Sequence, residues 1–263
     1  MRIVIAVGLL ILNLAVSLPA QDKFYKQFQG KIGDKPVRVA LIKAPSRDNF
    51  FFNLRGQYHY RDSDQIIQLT NGTLDAVGNF YLEEGLYQLD SYTSNQKSFR
   101  RTGTFTGIYY TGTGKIEGIW QSISTGRSAA FELYEDYSNG SMPAEIVFND
   151  LSYENAEIRF HYPVFKGKPG AEAINRYIRE QGLGDMQEKM NEFIQQYRSA
   201  RESGGMADIF ESSHIVYIIY NAHDLLSLDY TLQPTPAVPT AFTRVNFITL
   251  ICKPASCSSW MIC

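Results

Sequence analysis

Five aromatic residues, Tyr58, Tyr60, Tyr109, Tyr110 and Trp120, sit in short runs that each follow a glycine, Gly56, Gly107 or Gly118. At the mouth of a β-barrel, such side chains would stack on a sugar ring or enclose an apolar ligand. The same aromatics could instead fill a core, with the glycines acting as bends or bulges that let strands coil. Both readings stand from the residues alone.

Other groups able to do chemistry do not converge. Glu83 and Glu84 are adjacent, so in a strand they face opposite ways and make no paired-carboxylate site. His59 lies between Tyr58 and Tyr60 and is expected on the opposite face, in solvent. His161, His214 and His223 are scattered, and Arg100-Arg101 is as well explained by solvation as by an anion. The three cysteines, Cys252, Cys257 and Cys263, crowd the end of the chain without a metal-ligand spacing. No serine sits in a glycine elbow, and no glycine-rich loop opens a helix. No catalytic, cofactor-binding or metal-binding residue is therefore expected.

The elements that would carry these residues fall into two kinds. From residue 21 to 138, runs such as Val37–Ile42, Phe50–Leu54, Gly56–Tyr60, Ile66–Leu69, Asn79–Glu84, Gly103–Gly107, Lys115–Trp120 and Ala130–Tyr134 alternate at period two. They predict an all-β amino-terminal domain, an antiparallel meander closing into a barrel or sandwich. Turns are expected at Asn71-Gly72, Gly78-Asn79 and Thr111–Gly114, where residues that accept positive φ cluster. Ser138–Pro143 reads as a linker. Residues 144–232 predict a small α+β domain. Its strands fall at Glu145–Phe148, Ala156–Tyr162, Ile215–Tyr220 and Leu225–Tyr230, and its helices lie on either side of Gly182-Leu183-Gly184. Asp185 is placed to cap the second helix, and Met186 and Met190 to fill its core face.

Net charge and leader bound the setting. A formal charge of −2 over 263 residues offers no basic field for nucleic acid. Met1-Arg2, a short apolar run and Ser17-Leu18-Pro19-Ala20 read as a cleavable signal peptide over residues 1–20. The mature chain is then exported, periplasmic or extracellular. No later segment is long and apolar enough to span a bilayer.

Three segments carry a resemblance: Ile158–Phe165, Ile174–Ile178 and Ile218–Leu228. Together they are similar to the PdaC/RsiV-like domain of unknown function, found in lysozyme-responsive anti-sigma factors and ahead of the catalytic domain in some peptidoglycan deacetylases. The resemblance covers about residues 145–231. In that family a second domain follows, opening with Gly-Gly-Ala-His and a phrase like Asn-Phe-Asp before a Thr-Gly turn. Here the chain reads Pro234-Thr235-Pro236-Ala237-Val238-Pro239 instead. Back-translation from Gln233, read two nucleotides later, permits the missing phrases in order without a stop. Residues 233–263 are accordingly expected to be a disordered, out-of-frame tail replacing the second domain, with β-structure ending at an uncovered edge near Tyr230. The resemblance implies a cell-envelope binding or sensing module whose partner is a protein such as lysozyme or a cell-wall glycan, with no cofactor. A small-ligand-binding barrel is the alternative. A glycan-active enzyme would need carboxylates or a metal set that the sequence does not display.

Overall fold

The computed structural model describes residues 23–44, 53–63, 65–89, 97–204, 210–233 and 243–251. The expected signal peptide and all three cysteines lie outside them.

Eight antiparallel strands form an up-and-down barrel: β1 (Phe24–Ile32), β2 (Lys35–Lys43), β3 (Leu54–Tyr60), β4 (Ile67–Leu74), β5 (Asn79–Leu89), β6 (Lys97–Tyr110), β7 (Lys115–Ser122) and β8 (Ser128–Glu135). Closure comes from β8 pairing with β1, Phe28 opposite Glu135 through Ile32 opposite Phe131. The sequence therefore specifies a barrel rather than a sandwich. The expected run Phe50–Leu54 lies largely outside the described residues, and β1, which was not among the expected runs, is one of the eight strands.

Period-two alternation builds the interior. Along β2, Val37, Val39, Leu41 and Lys43 are buried inside while Arg38, Ala40 and Ile42 face outward. The interior is packed with aromatic rings meeting edge to face, Phe105 on Phe131 at 5.3 Å and on Tyr58 at 5.8 Å. Each such ring, fully buried, contributes roughly 1.5–3 kcal/mol. The glycines have a concrete role in coiling the strands. Gly107 and Gly118 face each other, and a Cβ added to either would come within 2.1 Å and 2.0 Å of the opposing Glu117 and Thr106 carbonyl oxygens.

Asn71-Gly72 is not a turn, contrary to expectation. It lies within β4 at a register shift between Thr70 and Thr73, with Asn71 at φ +49°, so the residues that favour positive φ serve a β-bulge. The expected turns at Gly78-Asn79 and Thr111–Gly114 are in place.

Beyond the Ser138–Pro143 loop come β9 (Ala144–Tyr153), β10 (Ala156–Phe165), α1 (Ala171–Tyr177), continued by a π-helical turn over Ile178–Leu183, α2 (Met186–Glu202), β11 (Phe210–Ala222) and β12 (Leu225–Gln233). Asp185 caps α2, its Oδ1 accepting from the amides of Gln187 and Glu188 at 2.9 and 3.1 Å. Phe193 and Tyr197, one turn apart, pack on Phe210 at 5.3 and 5.5 Å, with Met186 and Met190 alongside. The sheet here is mixed rather than antiparallel, because β10 and β11 run parallel. Parallel neighbours need a long crossover, and the helices between them supply it. This half buries its own hydrophobic core, yet its strands continue the barrel's sheet through one pair, Tyr25 opposite Ala144.

The tail does not end the sheet as expected. A further strand, β13 (Thr243–Ile251), pairs antiparallel with β12 from Leu225 opposite Ile251 to Leu232 opposite Thr243, covering the edge expected near Tyr230. Among the described residues, no helix is long and apolar enough to cross a membrane.

Candidate functional site

Strand alternation sorts the five aromatics. Tyr58, Tyr60 and Trp120 gather at the end of the barrel where β3 finishes, and the Tyr58 and Tyr60 rings meet edge to face at 5.5 Å. Tyr109 lies toward the opposite end, its ring 6.0 Å from Phe24 and 6.1 Å from Phe28. Tyr110, one residue on, points outward and donates to Glu117 Oε1 at 2.9 Å. Tyr58 and Tyr109 are core residues, 1% and 5% exposed. Three of the five thus share one end of the barrel.

That end is organised by a residue the sequence singled out only to set aside. Glu84 points inward, as its neighbour Glu83 points outward to pair with Arg101 at 2.7 Å. Buried, Glu84 accepts from the Tyr58 hydroxyl at 2.7 Å and the Trp120 indole N–H at 2.6 Å on Oε2, and from Thr102 Oγ1 at 2.6 Å on the other oxygen. Burial, then the adjacent Glu84 charge, push the Tyr58 phenol well above its ordinary pKa, so it stays a donor. This cluster ties four strands together, and its donors are all committed.

A more accessible arrangement lies outside the barrel. In the β1–β2–β3 register, Gln29, Arg38 and His59 face one another in a row, as do Gln27, Ala40 and Gln57. The β11–β12 turn approaches this face and encloses a groove of about 250 Å³. Arg38, His59 and Arg61 line it from the barrel, Tyr220 and His223 from the turn, and none of its lining residues is acidic. A second concavity of about 360 Å³ adjoins it and shares Arg38 and Arg61. Ala40 lines it with no more than a methyl group.

The groove is held rigidly. Gln57 Nε2 donates across it to the Ile219 carbonyl at 3.0 Å, and Gln27 Nε2 to the Asn221 carbonyl at 3.2 Å. Tyr25, on the outer face of the barrel, is 3% exposed because the second half covers it, and this burial raises its phenol pKa. The Ser138–Pro143 loop is bound in as well. Asn221 brackets Met142, Oδ1 accepting its N–H at 2.9 Å and Nδ2 donating to its carbonyl at 2.8 Å, while the His223 N–H donates to the Asn139 carbonyl at 2.6 Å.

The turn itself is strained. His223 and Asp224 both take left-handed conformations, φ +53° and +56°, in a two-residue hairpin that ordinarily calls for Asn-Gly. In return, His223 Nδ1 sits 2.7 Å from the Tyr220 hydroxyl at the groove rim. His59 is half-buried in the groove rather than in open solvent as expected, because the second half overhangs it. The signal that could have found this site is the His-Asp pair standing where a hairpin favours glycine.

The remaining histidines have structural partners. His161 Nε2 lies 2.6 Å from Asp150 Oδ1, and buried His214 stacks on Phe160 at 5.0 Å with Nδ1 2.6 Å from the Tyr230 hydroxyl. No group of three or more His, Cys, Asp or Glu able to hold a metal occurs among the described residues. Comparison with protein-family models finds no match to this chain, and neither the curated proteins nor the solved structures yield one.

Proposed function

We propose that this protein is an exported binding module of the bacterial cell envelope, and that the groove between barrel and β11–β12 turn takes an anionic stretch of cell-wall glycan. The carrying observation is the lining itself: Arg38, Arg61, His59 and His223 converge with Tyr220, and no acidic lining residue opposes them. Guanidinium groups pair with carboxylates through two parallel hydrogen bonds, and a tyrosine beside them offers a ring and a hydroxyl to a sugar. The strained hairpin supports the same reading, since strain of this kind clusters where binding sites are preorganised.

In this reading residues 144–232 are an α+β module of the PdaC/RsiV-like kind, with the signal-like leader directing export and the segment beyond Gln233 replacing a second domain. Binding, not catalysis, is its activity.

Co-sedimentation with purified peptidoglycan, alongside capture by immobilised lysozyme, tests the reading. The expected result is salt-sensitive retention on peptidoglycan that is lost in the Arg38→Ala, Arg61→Ala double variant. Retention by lysozyme alone, or peptidoglycan binding indifferent to both arginines, would overturn it.

A further inference from the structure

The row of side chains that lines the groove continues past Arg38. On the outer face of the barrel Gln29 stands opposite Arg38 on one side and opposite Tyr134 of β8 on the other, so His59, Arg38, Gln29 and Tyr134 cross four adjacent strands. Three strand spacings of roughly 4.8 Å make this row about 14 Å long. Gln29 and Tyr134 line the second concavity, Tyr220 and His223 the first, and Arg38 and Arg61 line both. The two arginines therefore stand on the shared wall, with Tyr220 on one side and Tyr134 on the other.

Tyr134 offers a ring held in place yet open to solvent. It is 46% exposed, its hydroxyl donates to Glu132, and the Lys115 ammonium lies 5.7 Å from its ring centroid. Lys115 also meets Glu132 at 2.7 Å, so that acid is balanced by its own neighbour and not by the arginines. No acidic side chain lines either concavity, and Asp62, next to Arg61 in the chain, lines neither. An exposed tyrosine beside two guanidinium groups suits a sugar, whose apolar face stacks on the ring while a carboxylate pairs with the arginines.

Building on the glycan reading of the groove, we propose that the two concavities are consecutive subsites for one oligosaccharide. Arg38 and Arg61 clasp the carboxylate of a central ring, Tyr134 carries the ring on one side, and Tyr220 the ring on the other. The first concavity, about 250 Å³, falls short of the ~300–1,000 Å³ usual for sites that enclose a small molecule, whereas the pair lies well inside that range. With the arginines between two tyrosines, the charge belongs on the strand itself, flanked by rings, and not at the end of a peptide branch. Cell-wall glycan freed of its peptides has this pattern, a free lactyl carboxylate on every second ring.

The test is co-sedimentation of the full chain with purified peptidoglycan, competed by N-acetylmuramic acid and by peptide-free wall strands of two and four rings. The four-ring strand is expected to compete about tenfold better than the single acidic sugar, and Tyr134→Ala to weaken retention about tenfold. Tyr134→Phe, which keeps the ring, and Tyr87→Ala, exposed on β5 and lining neither concavity, are expected to bind as the wild type does. Arginine-dependent retention that is indifferent to Tyr134→Ala, or a single sugar that competes as well as four rings, would overturn the two-subsite assignment while the glycan reading of the groove stood. No retention of the wild type would overturn both. Should Tyr134→Ala fail to fold, the competition series on the wild type still decides.

Discussion

The Trp120 indole N–H and Glu84 meet at 2.6 Å inside the barrel, on the same carboxylate oxygen that accepts the Tyr58 hydroxyl. With Thr102 on the other oxygen, one buried acid fastens β3, β5, β6 and β7 at a single end. Glu84→Gln places an amide donor among donors and leaves at least one unsatisfied. Urea unfolding is expected to show a loss of about 1–3 kcal/mol, and Tyr58→Phe a smaller one of about 1 kcal/mol. Equal stability of Glu84→Gln and wild type would mean that the cluster does not hold this end closed.

Asn221 is the corresponding fastener between the halves, because both ends of its amide are used on Met142. Asn221→Ala strands two buried backbone groups and is expected to destabilise by about 2–4 kcal/mol. Limited proteolysis is then expected to cut within Ser138–Pro143 faster than in the wild type.

His214 makes stability depend on acidity. Burial, reinforced by the Lys189 charge, pulls its pKa from 6.5 down to about 4. The unfolded chain takes up a proton near 6.5 while the folded protein resists until about 4. His214 therefore adds no pH dependence above about 6.5, and stability falls progressively as pH drops from there to about 4, by up to about 3 kcal/mol in all. Replacing His214 with Phe, which can still stack on Phe160, is expected to flatten that slope in melting curves taken across the same range. An unchanged slope would assign it to other groups.

The His223-Asp224 turn trades stability for position. Asp224→Gly relieves a left-handed non-glycine residue and is expected to raise stability by roughly 1 kcal/mol. Gly140→Ala is expected to do the reverse, because an added Cβ would lie 2.5 Å from the Asp224 amide nitrogen at a backbone φ of +86°. Thermal melts of the two variants that shifted in the same direction would count against this account.

Much of the architecture is legible along the chain because strand and helix signals are local. Alternation in Val37–Ile42 and Lys115–Trp120 specifies inward and outward faces, and Asp185 before Met186 marks where a helix starts. The same rule settles that Glu83 and Glu84 point apart. What it leaves open is which of the two is buried, and against what, since Tyr58, Thr102 and Trp120 reach Glu84 from other strands.

Pairing between distant segments belongs to the tertiary structure. Barrel closure depends on β8 returning to β1, the parallel placing of β11 beside β10 depends on the helical crossover, and Asn71-Gly72 becomes a bulge only through its neighbours' register. The groove is of the same kind: Arg38 and His223 stand far apart in sequence and meet because a hairpin folds over the outer face of a barrel. Composition and periodicity alone therefore determine an antiparallel β-meander followed by mixed helices and strands. Which side chains gather into sites is decided only when closure of the sheet brings separate strands within hydrogen-bonding distance, because the free energy of those contacts comes from burial that no single segment achieves alone.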